Sequence, residues 1–135
     1  MRFIIKSTIL IFCFICCKTD NYTWHTMEVT ATAYNSLAYQ TNHEPNITAW
    51  GDKLIPGKKY IAVSRDLIKK GLAHNTPVKI EGFQGVYLVK DKMNKRWNNR
   101  IDIYMGTDVV AAKQWGKRKL NITFGIENKK ASTND

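Results

Sequence analysis

Beyond residue 17 the chain has no cysteine; Cys13, Cys16 and Cys17 are its three, within 135 residues. That excludes a disulfide framework or a cysteine-based zinc site from the body of the protein. The length excludes a multidomain enzyme. There is no Walker motif, no G-x-S-x-G and no H-E-x-x-H, so none of the chemistries those signatures carry is indicated. His25, His43 and His74 are isolated among polar loop residues and read as surface histidines, neither ligands nor bases. No metal and no cofactor is expected. No internal repeat or low-complexity tract is apparent, and no apolar run reaches the roughly 20 residues of a spanning helix.

The start of the chain does carry an apolar run, a short one. Arg2 and Lys6 open it, and Ser7 to Cys17 is uncharged and almost wholly apolar. A basic start followed by an apolar stretch of roughly 7–15 residues has the make-up of an export signal. Residues 1–17 are therefore expected to be a signal peptide. Phe14-Ile15-Cys16-Cys17 resembles a bacterial lipoprotein box, which would lipidate Cys17 and anchor the protein to a membrane. The box is imperfect, because leucine followed by two small residues is the usual form. Residues 18–26 read as a polar tether.

The formal net charge is +10. Loss of residues 1–17 removes Arg2 and Lys6 and no acid, leaving +8. A basic surface suits a polyanion. Export argues against nucleic acid and for an envelope polymer such as peptidoglycan, whose stems carry carboxylates. Three N-x-T sequons, at Asn21, Asn46 and Asn121, would matter only in a eukaryotic secretory pathway.

Short strands dominate the rest. Met27–Tyr34 alternates, with Val29 and Ala31 on one side and Thr30, Thr32 and Tyr34 on the other. Tyr60–Ser64, Pro77–Glu81, Gly85–Asp91, Arg100–Met105 and Arg118–Phe124 are further strands. Ser64 is placed to cap a short helix through Leu67 and Ile68 that Gly71 stops; Thr107 is placed to cap another through Trp115 that Gly116 closes. Trp50 and Trp115 read as packing residues. Residues 126–135 read as a flexible tail. This many short strands in about 100 residues predicts a closed, mainly β barrel.

Carboxylates carry the chemistry. Asp102 sits mid-strand in RIDIYM, sharing a face with Arg100 and Tyr104, where propensity disfavours aspartate. Asp91 ends GVYLVKD, on the face of Tyr87 and Val89. Were the two strands a hairpin, both carboxylates would meet at one open end. Crowding and partial burial would then raise one pKa, leaving a carboxylic acid able to protonate a glycosidic oxygen. Alternatively, both are exposed strand-end residues paired with nearby lysines and arginines. The loop Lys92–Asn99 is basic and holds Trp97, which suits a sugar bearing a carboxylate stem.

The segments VTATAYNS, AWGDKLIPG, IAVSRDL with Asp66, TPVKIEG, VKDKMN with Asp91, NRIDIYMG with Asp102, and AAKQWG resemble, in this order, the three-aspartate (3D) domain. That family includes murein lytic transglycosylase A and the muralytic relatives of resuscitation-promoting factors. The resemblance runs from about Val29 to Phe124. It implies a six-stranded double-psi β-barrel with one or two short helices, over residues 27–125. It implies Asp102 as catalytic acid and base, Asp91 as its partner and Asp66 as a structural or substrate-orienting third member. The implied substrate-binding residues are Trp97, Tyr104, Lys92, Asn94, Asp52, Thr48 and Tyr34. The implied reaction is lytic transglycosylation of peptidoglycan in a bacterial envelope, with 1,6-anhydro-muramyl products. The family's Thr-Gly-Gly after the second aspartate is here Lys92-Met93-Asn94. That departure keeps two alternatives open: a non-catalytic glycan-binding barrel, or a glycoside hydrolase using Asp91 or Asp66 as base.

Overall fold

A computed structural model describes residues 21–36 and 46–129. The expected signal, Cys17, His43 and residues 130–135 lie outside the described residues.

The elements are β1 Tyr22–Tyr34, β2 Tyr60–Val63, α1 Arg65–Lys69, β3 Pro77–Ile80, β4 Tyr87–Lys92, β5 Arg100–Tyr104, α2 Val109–Trp115 and β6 Arg118–Glu127. The strands close in the order β1-β5-β2-β4-β3-β6. Two pairs are parallel, β1 with β5 and β2 with β4, and the other four are antiparallel. This is the expected double-psi β-barrel with two short helices. Closure leaves no free sheet edge.

Alternation drives the closure. Val29, Ala31, Ile61, Val63, Val78, Val89, Ile101, Ile103 and Ile122 point inward and are almost wholly buried. Leu67 of α1 and Leu72 plug the same core. Truncating one such aliphatic side chain typically costs about 2–5 kcal/mol. At Gly71, which follows α1, φ is +112° and a Cβ would stand 2.8 Å from Ile126 Cδ1. Glycine is required there by both backbone and space. Trp50 and Trp115 pack against the core as expected.

Several boundaries differ from expectation. β1 begins at Tyr22, four residues into the segment read as tether, because β6 continues to Glu127 and supplies partners from Tyr22↔Glu127 onward. Polar residues on the exposed face of this ribbon hide the strand period. Asp108 caps α2 in place of Thr107, accepting from Ala111 N at 2.9 Å. Ser64 stands at the α1 N-cap, but its hydroxyl accepts from Arg100 N at 3.0 Å and ties α1 to β5.

The larger correction concerns β4 and β5. They do not form a hairpin; β2 lies between them. Between β2 and β4 the register runs Ile61↔Val89 and then Ala62↔Asp91, so Lys90 is an extra residue, a β-bulge. The bulge moves Asp91 off the face of Tyr87 and Val89 and onto that of Ala62.

Candidate active site

One row of residues crosses four strands. Thr32 on β1 pairs with Asp102 on β5, Asp102 with Ala62 on β2, and Ala62 with Asp91 on β4. Residues directly opposite one another share a face. Ile101 and Ile103 point into the core, so this row faces outward. Ala62, on β2, stands between the two acidic positions in this row. Thr32 Oγ1 donates to Asp102 Oδ1 at 3.1 Å.

Loops roof the row. Met93, buried just after β4, donates its N–H to Val63 O at 2.9 Å, which carries the β2–β4 ladder one residue further and ties the start of the β4–β5 loop to β2. Trp97 lies further along, with the Arg100 guanidinium 3.8 Å and that of Arg96 4.7 Å from its ring centroid. The result is a cavity of about 180 Å³ lined by Tyr34, Ala62, Asp91, Lys92, Met93, Asn94, Trp97 and Asp102.

The two acids are held differently. Burial pushes the Asp102 carboxyl up to about 6; Thr32 and the Arg100 charge oppose the rise, and Asp91 adds to it. Covering by the roof is therefore the main cause, ahead of the like-charge crowding expected from sequence. Asp91 is also raised by burial. Its Oδ1 accepts 2.8 Å hydrogen bonds from Ala49 N and Lys92 N, which with the Lys92 charge favour the carboxylate. The Tyr34 hydroxyl is buried without a protein partner among the described residues, and burial and both carboxylates push its pKa well above the ordinary phenol range.

Asp66 does not line this cavity. Its Oδ2 accepts from Asn99 N at 2.9 Å, which pins the far end of the loop that carries Trp97. Burial raises the Asp66 carboxyl, but the nearby Ser64 hydroxyl, the Asn99 N–H and the Lys70 charge outweigh that and hold it below the usual range. Asp52 also stands apart. It pairs with His74 Nε2 and, at 3.3 Å, with Lys90 Nζ, and these partners overcome its burial to lower its pKa. The pairing steadies the 46–54 loop that presents Ala49 N to Asp91. Thr48 is buried and turned into that loop, its hydroxyl accepting from Asp52 N at 3.1 Å. Tyr104 is buried, with its hydroxyl 2.9 Å from Ser36 Oγ, and borders a different cavity. Of the ten expected residues, Asp102, Asp91, Trp97, Lys92, Asn94 and Tyr34 come together; Asp66, Asp52, Thr48 and Tyr104 do not.

Sequence reasoning missed Thr32, Ala62 and Met93. For Thr32 a signal existed, since the alternation of β1 places it on the face of Tyr34. Ala62 and Met93 take their places from long-range pairing. Among the described residues no cluster of histidine, cysteine or carboxylate side chains is arranged to hold a metal ion.

Fold and site together define a double-psi barrel with a half-buried, outward-facing carboxyl under a tryptophan-bearing loop. No protein-family model matches the chain, and no curated protein does. Among solved structures it is similar to an expansin of Clavibacter michiganensis. A mutant of that protein in complex with cellohexaose aligns at 18% identity and TM-score 0.46, over 81% of this chain and 54% of that one. The apo form aligns at 18% identity and TM-score 0.45, over 80% and 53%. This chain thus spans about half the length of the expansins it matches, and a likeness so distant says nothing about activity.

Proposed function

We propose that this barrel grips a wall glycan at the Asp102 cavity and that Asp102 cleaves it as a peptidoglycan lytic transglycosylase. The observation behind this reading is a half-buried carboxyl, raised to about 6, in the same outward cavity as Trp97. At pH 7 about a tenth of Asp102 keeps its proton, and at pH 6 about half does.

The protonated Asp102 gives its proton to the glycosidic oxygen as the bond to the muramyl anomeric carbon breaks. The carboxylate left behind takes the proton of the muramyl C6 hydroxyl as that oxygen bonds to the same carbon. The product is the 1,6-anhydro sugar, and the acid is regenerated. Thr32 stabilises the ionised half of the cycle. General acid help of this kind is worth about 10²–10⁴ in rate. Asp91, whose Oδ1 accepts from two backbone N–H groups, adds to the field that holds the proton on Asp102. Trp97 with Arg96 and Arg100 suits a sugar carrying a carboxylate. Membership of the three-aspartate family, export and anchoring through Cys17 belong to the same proposal.

A second reading is binding without cleavage. The cavity, about 180 Å³, is below the ~300 Å³ of ordinary small-molecule sites, room for one ring where cleavage spans two. Mass spectrometry of muropeptides released from sacculi by the protein and by Asp102→Asn separates the readings. Anhydro products from the wild type alone support lytic transglycosylation. Binding with no product supports the second reading, and reducing-end products or an active Asp102→Asn refute the role of Asp102 as sole acid.

A further inference from the structure

Around the barrel from β5 through β2 and β4, the outer surface continues beyond the Asp102 cavity. Lys92 borders that cavity, and its ammonium stands 5.2 Å from the Trp50 ring centroid. The Trp50 ring lies 5.0 Å from that of His74. His74 is then a wall of a second cavity, about 380 Å³, over the start of β3 and the far ends of β1 and β6. Tyr22, Asn75, Pro77 and Gly125 also line it.

This second cavity is built on specific residues. A Cβ at Gly125 would come within 3.0 Å of Tyr22 Cβ, so glycine lets Tyr22 lie against the strand. Asn75 is held at φ +65°, in the left-handed region that asparagine adopts more readily than most residues. Its N–H donates to Val89 O at 2.8 Å, and its Oδ1 accepts from Lys90 Nζ at 2.5 Å. Its side-chain nitrogen remains a donor. No lysine or arginine lines this cavity, in contrast to the first, and the Glu127 carboxylate in its wall disfavours an anionic sugar.

We propose that the second cavity is a distal subsite for a neutral sugar unit of the same glycan strand, which passes over the Trp50–His74 ridge. Tyr22 and Pro77 offer apolar faces to the ring, and Asn75 a donor to its hydroxyls. The inference rests on the glycan reading above. Binding is measured calorimetrically in the Asp102→Asn background, with sacculus-derived, peptide-free disaccharide and octasaccharide as probes. The octasaccharide binds at least about tenfold more tightly, as one added aromatic contact would give. Tyr22→Ala, and Asn75→Gly which keeps the positive φ, each remove most of that gain and leave the disaccharide unchanged. Trp97→Ala weakens both probes. Octasaccharide affinity untouched by both distal variants but lowered by Trp97→Ala overturns the subsite and leaves the glycan reading standing. Equal losses for both probes overturn it as well. Failure of both probes to bind overturns both inferences together.

Discussion

Replacing Asp102 by asparagine should make the protein more stable at neutral pH, and only there. The folded protein holds this carboxyl near pKa 6, against an ordinary 3.8. A raised carboxylate pKa means the folded state binds the proton more tightly than the unfolded chain. The stability from that proton is fully present below about pH 4 and is lost as pH rises through 6. The difference of about two pKa units is worth about 3 kcal/mol at pH 7.5. Asparagine fills the same space, can accept from Thr32 Oγ1 and carries no charge. Asp102→Asn should therefore gain up to about 3 kcal/mol at pH 7.5, or roughly 10 °C in Tm, and close to nothing at pH 4. Urea unfolding of both proteins at the two pH values measures it. No gain at pH 7.5, or an equal gain at both, refutes the half-buried, proton-holding carboxyl whatever the substrate.

Two further perturbations probe the same electrostatics. Thr32→Val keeps the shape and removes the donor to ionised Asp102; carbon-13 titration of the Asp102 carboxyl should show its pKa rising by about one unit, since a hydrogen bond to a charged group is worth about 1.5–3 kcal/mol. An unchanged or lower value would refute the bond's role. Asp66→Ala should cost about 1–2 kcal/mol at pH 7, the lower part of that range because solvent reaches the group. Asp66 is depressed in the fold, so its contribution is present above the unfolded pKa and fades as pH falls through the folded value; urea unfolding at pH 7 and pH 3 should show the deficit shrinking.

What the sequence made legible was local. Alternation at Val29 and Ala31, and at Ile101 and Ile103, identified strands and their inward faces, because period two survives wherever one face is buried. Pairing order was not legible, since β2, some forty residues upstream of β5, supplies the strand between the two acids. The bulge at Lys90 was equally hidden. Strict alternation puts Asp91 on the core face, and only the shifted register with Ala62 turns it outward. Tyr22–Thr26 read as tether because its polar residues serve the solvent face of a two-stranded ribbon. Tyr104 shares the parity of Asp102, but two residues along a strand is about 7 Å, enough to hand its hydroxyl to Ser36 instead of the cavity.

The order of causes behind the acidity of Asp102 bears on what the three aspartates do. Were crowding by Asp91 the main source, mutation of Asp91 would suffice to discharge the acid. Burial leads instead, and burial is supplied by the roof: Tyr34, Met93 and the loop to Trp97. That loop is tied at one end by Met93 N to Val63 O and at the other by Asn99 N to Asp66. Arg100 N on the Ser64 hydroxyl fixes the next residue. Asp66 thus reaches Asp102 through the covering it anchors, without entering the cavity. Asp91 reaches it through the field of a charge that Ala49 and Lys92 hold in place. A substrate ring that displaces water beneath Trp97 would deepen the covering and strengthen the hold on the proton, so that occupancy of the cavity and protonation of Asp102 rise together.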